Sequence, residues 1–356
     1  MSIAPRGEAP RSLLVVRLGA MGDVIHTMYA VAALHAALPE TKTGWAIEER
    51  WAELVCAKGA DSGEQGRGRP LIDLIHLVNT KRWRRSPLSA ETTRQVKNAF
   101  AGMRAQKYAV AADFQGAIKS ALVARFAGAD EVAGMAAPRE APAKLFYKRR
   151  VTTSGTHVIE QYCSLAEAMA GQRLQVIAPE FPRDDQAEAS ITKKFGESQI
   201  VILNPGAGWA AKQWPAERYG EVARALAREG MKPVINFGPG EEELARAAEA
   251  TSDGTAAAIS CSVSDLIALT RRARLLVGGD TGPLHLAAAM KVPVVALFGP
   301  TDPARNGPYG TRSVVLRNSA SKMSLSHTRD ADPGLLQITT EDVVRAAWQL
   351  LEVANG

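Results

Sequence analysis

Several residues of this 356-residue chain have types and spacings that could do chemistry. Asp280, Thr281, Gly282, Pro283 and His285 stand between the apolar run 275–277 and an Ala-rich stretch. A strand that ends in small residues and enters a helix at a proline leaves the first helical amides without partners, and Pro283 has no N–H to waste there. The amides of Thr281, Gly282 and the first turn suit an anion, most simply a phosphate. The same residues also fit an ordinary strand–turn–helix corner, with Asp280 or Thr281 as the cap.

Other stretches repeat this theme. Residues 204–215 form a small-residue loop that carries one cation, Lys212. The loop lacks the Gly-Lys-Ser/Thr of a Walker A sequence. A glycine loop with one lysine suits a diphosphate, although a single Lys is also commonly a solvated helix-start residue. Phe237, Gly238, Pro239, Gly240 and Glu241 pass from strand through tight turn to helix. Glu241 can accept from ribose hydroxyls or serve as a first-turn acid.

Near the N-terminus, Gly19, Ala20, Met21, Gly22 and Asp23 stand where a dinucleotide fingerprint would, but only two glycines fit that spacing, which argues against NAD. Asp23 on a first helical turn is either a general base or a cap. The densest positive cluster is Lys81, Arg82, Arg84 and Arg85 around Trp83, with Arg139, Lys144, Lys148, Arg149 and Arg150 in the same half. It is either solvated surface or an anion-docking face.

The elements that must position these residues alternate between strand and helix. Strands are expected over 13–16, 43–47, 71–78, 108–114, near 132, and over 200–203, 232–237, 256–260, 275–277 and 292–298. Helices are expected through about 38 with Asp23 on the first turn, over 51–57, 89–106, 118–126, 157–170, 215–228, 241–250 and 264–271, after 282, and over 339–353, with 81–85 in a loop. Repeated βα units at this spacing predict α/β architecture with parallel sheets covered on both faces. Two series joined near 179–182 predict two Rossmann-like domains with a ligand cleft at their strand ends.

Composition sets the bounds. With 46% hydrophobic and 22% charged residues and no apolar run near bilayer length, the chain reads as globular and not membrane-spanning. Residues 1–10 read as a polar tail without a signal-peptide core. Cys56, Cys163 and Cys261 are odd in number and far apart, which fits reduced thiols in a cytoplasm. Residues 1–150 hold 23 Lys+Arg against 14 Asp+Glu, whereas the remainder holds 20 against 23. The basic half predicts an anionic partner: a membrane surface or a phosphorylated substrate, and not nucleic acid, since no nucleic-acid module is present.

Taken together, these stretches resemble the ADP-heptose:lipopolysaccharide heptosyltransferases, glycosyltransferase family nine, over nearly the whole chain, 12–353. The motifs are Met21-Gly22-Asp23-Val24-Ile25-His26-Thr27; Asp113-Phe114-Gln115-Gly116 with Lys119-Ser120; Pro205-Gly206-Ala207 with Lys212 and Trp214-Pro215; Asp280-Thr281-Gly282 with His285; and Phe298-Gly299-Pro300-Thr301-Asp302-Pro303. Arg82-Trp83-Arg84-Arg85 and Pro138-Arg139-Glu140 with Leu145-Phe146-Tyr147 look most like the heptosyltransferase I branch, which adds the first heptose to Kdo-lipid A.

The resemblance implies a GT-B fold and an inverting, metal-independent transfer from ADP-heptose without a cofactor, at the inner face of the cytoplasmic membrane. It implies that Asp23 is the catalytic base and that Lys212, Glu241, Asp280, Thr281, Gly282 and His285 hold the donor. By the same resemblance, Arg82, Arg84, Arg85 and Arg139 meet the acidic acceptor. The implied organisation is a tail (1–10), an acceptor domain (11–178), a nucleotide-sugar domain (179–338), and a last helix (339–356) returning toward the first domain. In two places the chain departs from the family. Ala207-Gly208 replaces hydroxyl residues of some members, so those donor contacts are backbone or absent, and the loop 59–70 looks inserted. Another GT-B nucleotide-sugar enzyme, such as a hexosyltransferase or an epimerase, and a non-catalytic nucleotide-sugar-binding protein are the alternatives.

Overall fold

A computed structural model of the protein describes residues 9–58, 68–323 and 330–352. Most of the expected tail and of the 59–70 loop lies outside the described residues. The chain divides into two units, Met1–Pro182 and Arg183–Gly356.

In the first unit, the run Leu13, Leu14, Val15, Val16 becomes the buried strand β1 (Ser12–Val16). It leads into α1 (Met21–Ala37), which ends before Pro39. Then follow β2 (Lys42–Glu48), β3 (Leu74–Val78), α2 (Thr80–Arg85), α3 (Ala90–Ala105) and β4 (Val110–Asp113). The unit continues through α4 (Ile118–Phe126), β5 (Glu131–Met135), β6 (Arg149–Val151) and α5 (Val158–Ala170). The six strands form one parallel sheet in the order β3-β2-β1-β4-β5-β6. Successive side chains of a strand point to opposite faces. Leu14 and Val16 therefore join Met103 of α3 and Ala121 and Ala124 of α4 in one core. Leu13 and Val15 point the other way and are equally buried, and α1 packs against α5.

The second unit repeats the plan with α6 (Asp185–Phe195), β7 (Ile200–Asn204), α7 (Ala216–Ala227), β8 (Lys232–Phe237), α8 (Glu242–Ala250), β9 (Ala257–Ser260) and α9 (Val263–Arg272). It ends with β10 (Ala273–Gly279), α10 (Gly282–Ala289), β11 (Val294–Leu297), α11 (Pro303–Asn306), β12 (Ser313–Leu316), α12 (Pro333–Leu336) and α13 (Thr340–Glu352). Its parallel sheet runs β12-β11-β10-β7-β8-β9. Val201 and Leu203 face one core with α7 and α8, and Ile200 and Ile202 face another with α6, α9 and α10.

Some expectations change. The basic stretch 81–85 is a helix and not a loop: the Asn79 side chain accepts from the Arg82 amide at 3.1 Å and caps it. Helix α13 buries its apolar face in the second unit's core through Val343, Ala346, Ala347, Leu350 and Leu351. Edge strands β6 and β12 carry little signal in the sequence because they are short and half-exposed, with polar or charged flanks. Helix α6 is equally quiet because its apolar stripe is only Ala187, Ile191 and Phe195.

Both sheets have a point where strand order reverses. In the first, β1 lies between β2 and β4, and in the second, β7 lies between β8 and β10. At such a point the two loops leave the carboxyl ends in opposite directions and open a crevice, where ligands of α/β sheets bind. The loops concerned are those after β1 and β4, and those after β7 and β10.

Candidate active site

In the second unit, β10 delivers Asp280 and α10 begins two residues later. Neither Asp280 nor Thr281 caps the helix. The Thr281 hydroxyl donates to the Gly279 carbonyl at 3.2 Å, and the N-cap makes no side-chain cap bond. Pro283 sits in the first turn, as its missing N–H allows. The start of α10 is thus left without a side-chain acceptor of its own.

Asp280 is occupied elsewhere. One carboxylate oxygen accepts from Lys212 Nζ at 2.5 Å and the other faces His285 Nε2 at 3.0 Å. The side chains are 7% (Asp280), 14% (Lys212) and 6% (His285) exposed, so three groups separated by up to 73 positions meet almost out of water. Lys212 also lies 5.3 Å from the centre of the Trp209 ring. Burial pushes the Asp280 carboxyl up, but the hydrogen bond and charge of His285 and the Lys212 ammonium outweigh it. The carboxyl is held well below the usual carboxylate range. Asp280 is therefore an anion that fixes a cation beside the loop after β7.

Glu241 precedes α8 as its N-cap, and its carboxylate accepts from the Gly238 amide at 2.8 Å. That carboxylate occupies the space a Cβ would need at Gly206, so glycine there lets the β7 and β8 loops share it. Asn204 and Asn236 close the same strand ends. Asn236 Nδ2 donates to Asn204 Oδ1 at 2.7 Å, and Asn204 Nδ2 donates to the Gly206 carbonyl at 3.1 Å. Both are buried. Sequence reasoning missed this pair, although an amide ending an otherwise apolar strand was the available signal.

In the first unit, Asp23 occupies the first turn of α1. One of its oxygens accepts from the Ala20 amide at 3.3 Å and from Arg17 Nη2 at 2.7 Å. The Asp23 side chain is 38% exposed, whereas that of Arg17 is 4% exposed. Arg17 Nη1 donates to the Phe114 carbonyl at 2.8 Å, and the Leu18 amide donates to Gln115 Oε1 at 3.0 Å. Burial works against the Arg17 charge, and Tyr162, Asp23 and Asp113 more than offset it.

Asp113 ends β4 and is fully buried. It accepts from the amides of Gln115 and Gly116 at 2.9 and 3.1 Å and from the hydroxyls of Ser120 and Tyr147 at 3.0 and 2.7 Å. Burial pushes its carboxyl up, and the four donors offset part of that. Burial and the Asp113 charge push the Tyr147 phenol up. Gly116 has φ +67°, and a Cβ there would come within 2.9 Å of the Arg139 amide.

Arg82, Arg84 and Arg85 project from α2 into solvent, while Trp83 turns inward against Phe100, ring centres 6.5 Å apart. Arg139 is exposed in the loop after β5. Among the described residues none of these four arginines forms an ion pair. Asp23 is paired with Arg17 and not with them. The structure thus unites Lys212, Asp280 and His285, sets Glu241 on the adjoining loops, and holds Asp23 in a separate cluster.

The sequence profile of glycosyltransferase family 9 (heptosyltransferase) matches residues 97–333. Over 314 residues the chain is 29% identical to lipopolysaccharide heptosyltransferase 1 of Pseudomonas aeruginosa, spanning 85% of this chain and 83% of that one. Among solved structures, E. coli heptosyltransferase WaaC with ADP superposes with a TM-score of 0.76 at 24% identity, over 95% of this chain and 99% of that one. A glycosyltransferase family 9 structure from Veillonella parvula gives 0.80 at 22% identity, over 96% and 98%. The two parallel six-stranded sheets with helices are the GT-B type that these structures share. With a family match across most of its length on that architecture, this chain belongs to glycosyltransferase family 9, the heptosyltransferases.

Proposed function

We propose that this protein moves heptose from ADP-L-glycero-D-manno-heptose to the Kdo-lipid A inner core of lipopolysaccharide, inverting the anomeric centre without a metal ion. The observation that carries the reading is the buried Lys212–Asp280–His285 cluster beside the uncapped start of α10, at the strand-order reversal of the second sheet. The relative from Pseudomonas aeruginosa is named lipopolysaccharide heptosyltransferase 1, and the E. coli neighbour was solved with ADP.

In this reading the second unit holds the donor and the first holds the acceptor. Asp23 takes the proton of the acceptor hydroxyl as its oxygen bonds to the anomeric carbon. The bond from that carbon to the diphosphate oxygen breaks, and the electron pair leaves with ADP. Lys212 and the amides of Thr281 and Gly282 meet the growing charge, with Asp280 and His285 fixing Lys212 and Glu241 taking the ribose. Attack opposite the leaving group makes one displacement an inversion. Arg82, Arg84, Arg85 and Arg139 receive the acidic groups of the acceptor. The 96% exposed Leu88, just beyond Arg84 and Arg85, suits contact with the inner face of the cytoplasmic membrane, where a lipid-linked acceptor lies.

The test is a thermal-shift panel of ADP-, UDP- and GDP-sugars, followed by product analysis on Kdo-lipid A. ADP-heptose is expected to stabilise the protein most and to give a singly heptosylated product that survives EDTA. Stabilisation by UDP- or GDP-sugars alone, or no transfer, would overturn the reading. For the acceptor face, Arg84→Glu with Arg85→Glu should raise acceptor KM about tenfold or more, the equivalent of ~1.4 kcal/mol, and leave donor KM in place. An unchanged acceptor KM removes α2 from the acceptor site.

A further inference from the structure

We infer that Arg17 is a positioning residue for Asp23, and that the Asp113 turn seats Arg17. The inference rests on Asp23 being the proton acceptor. Arg17 follows β1 and the turn follows β4, the two strands that flank the strand-order reversal of the first sheet.

Stability alone is a poor reason for this arrangement. Burying a guanidinium is costly unless all its N–H groups find partners, and Arg17 Nε is buried with none among the described residues. Its carboxylate partner is still more than a third exposed, so the pair gains little from a low dielectric. What the arrangement does provide is direction. Arg17 Nη2 and the Ala20 amide both engage the same Asp23 oxygen. The other oxygen takes no hydrogen bond among the described residues and is left for a substrate hydroxyl.

The guanidinium is itself fixed from behind. Its Nη1 is tied to the Phe114 carbonyl, and Gln115 holds the next backbone amide, that of Leu18. Phe114 and Gln115 belong to the turn whose geometry Asp113 sets through four donors, one of them the Tyr147 hydroxyl. The charged and titratable groups facing Arg17 are Asp23, Asp113 and Tyr162. The Asp113-Phe114-Gln115-Gly116 motif thereby links the far strand to the base. Through Gly116 it also abuts the backbone of Arg139.

The experiment compares Arg17→Met, Arg17→Lys, Tyr147→Phe and Asp23→Asn in full-length protein, with circular dichroism and ADP titration as folding controls. Arg17→Met should lower kcat about 100-fold with ADP affinity and donor KM unchanged. Arg17→Lys should lose about tenfold, because one ammonium cannot reach both the Phe114 carbonyl and Asp23 in the same planar geometry. Tyr147→Phe should lose severalfold in kcat, again with donor KM unchanged.

A folded, ADP-binding Arg17→Met with parental kcat overturns the inference. If that variant does not fold, parental kcat in both Arg17→Lys and Tyr147→Phe overturns it instead. Asp23→Asn separates the two levels. Its inactivity beside an unaffected Arg17 series sinks the positioning role alone, whereas its full activity sinks the base and the positioning role together.

Discussion

Asp23→Ala should cut turnover between about a hundredfold and ten-thousandfold while ADP binds as in the parent, because removal of a general base slows the chemical step and leaves the proposed donor-holding residues in place. Asp23 also accepts from the Ala20 amide and pairs with the buried Arg17. Its loss would leave that guanidinium without its counter-charge, at a cost of ~1–2 kcal/mol once the solvent around the exposed Asp23 is allowed for. A rate loss in the alanine variant alone would therefore mix two effects. Asp23→Asn separates them, since its amide oxygen can still accept from Arg17 but cannot take a proton at neutral pH. The asparagine variant should lose as much rate as the alanine variant and less stability. Initial rates, ADP calorimetry and thermal unfolding on both proteins check this, and parental turnover in Asp23→Asn would reduce the residue to a helix cap.

The second large effect belongs to Lys212. Lys212→Ala should weaken ADP binding about tenfold to a hundredfold, the equivalent of ~1.5–3 kcal/mol for a charge-assisted hydrogen bond. Turnover with ADP-heptose should fall by roughly a further hundredfold or more, because the ammonium meets charge that grows only as the diphosphate departs. Lys212→Arg should restore binding better than rate, since a planar fork cannot occupy the point that a compact ammonium fills between Asp280 and Trp209. Asp280 titrates below the usual carboxylate range. A carboxyl lowered on folding contributes its stability above its unfolded value, near 3.9, and loses it only as pH falls through the lowered folded value. The Lys212–Asp280 contact is thus intact across neutral pH, so the Lys212 effect should be flat there. Equal ADP affinity in parent and Lys212→Ala, measured by calorimetry, would remove the residue from the donor site.

The two buried carboxylates show how different environments act on one side-chain type. Asp280 is met by a lysine and a histidine and is held low, whereas Asp113 is met by amides and hydroxyls and is pushed up. Opposite charge offsets desolvation more fully than neutral donors do. Asp280 is accordingly suited to hold a cation in place, and Asp113 to shape a turn.

Much of the fold was legible in the sequence because its signals are local. Apolar runs such as Leu13, Leu14, Val15, Val16 and Ile200, Val201, Ile202, Leu203 announce buried parallel strands, and Pro39 and Pro283 mark a helix end and a helix start. The placement of Asp23 and Pro283 in first turns, and of Lys212, Glu241 and Asp280 after strands, follows from the same short-range rules. Elements with weak local signals were not legible. The helix at 80–85 depends on one capping Asn79, and β6 and β12 are half-exposed edges of three and four residues, too short to announce a strand.

What only the tertiary structure decided is which of these residues meet. Asp280 was a candidate cap in the sequence, yet its carboxylate is claimed by Lys212, 68 positions away, and Thr281 leaves the helix start open. Arg17 and the Phe114 carbonyl lie 97 positions apart and touch because β1 and β4 are adjacent in the sheet. The last helix packs on the second sheet because that is where its five buried apolar residues find a core. Strand order is the physical reason. Propensity and periodicity act over a turn or two of chain, whereas the pairing of strands chooses which distant loops share one end of a sheet. In this protein the candidate site residues stand at those shared ends.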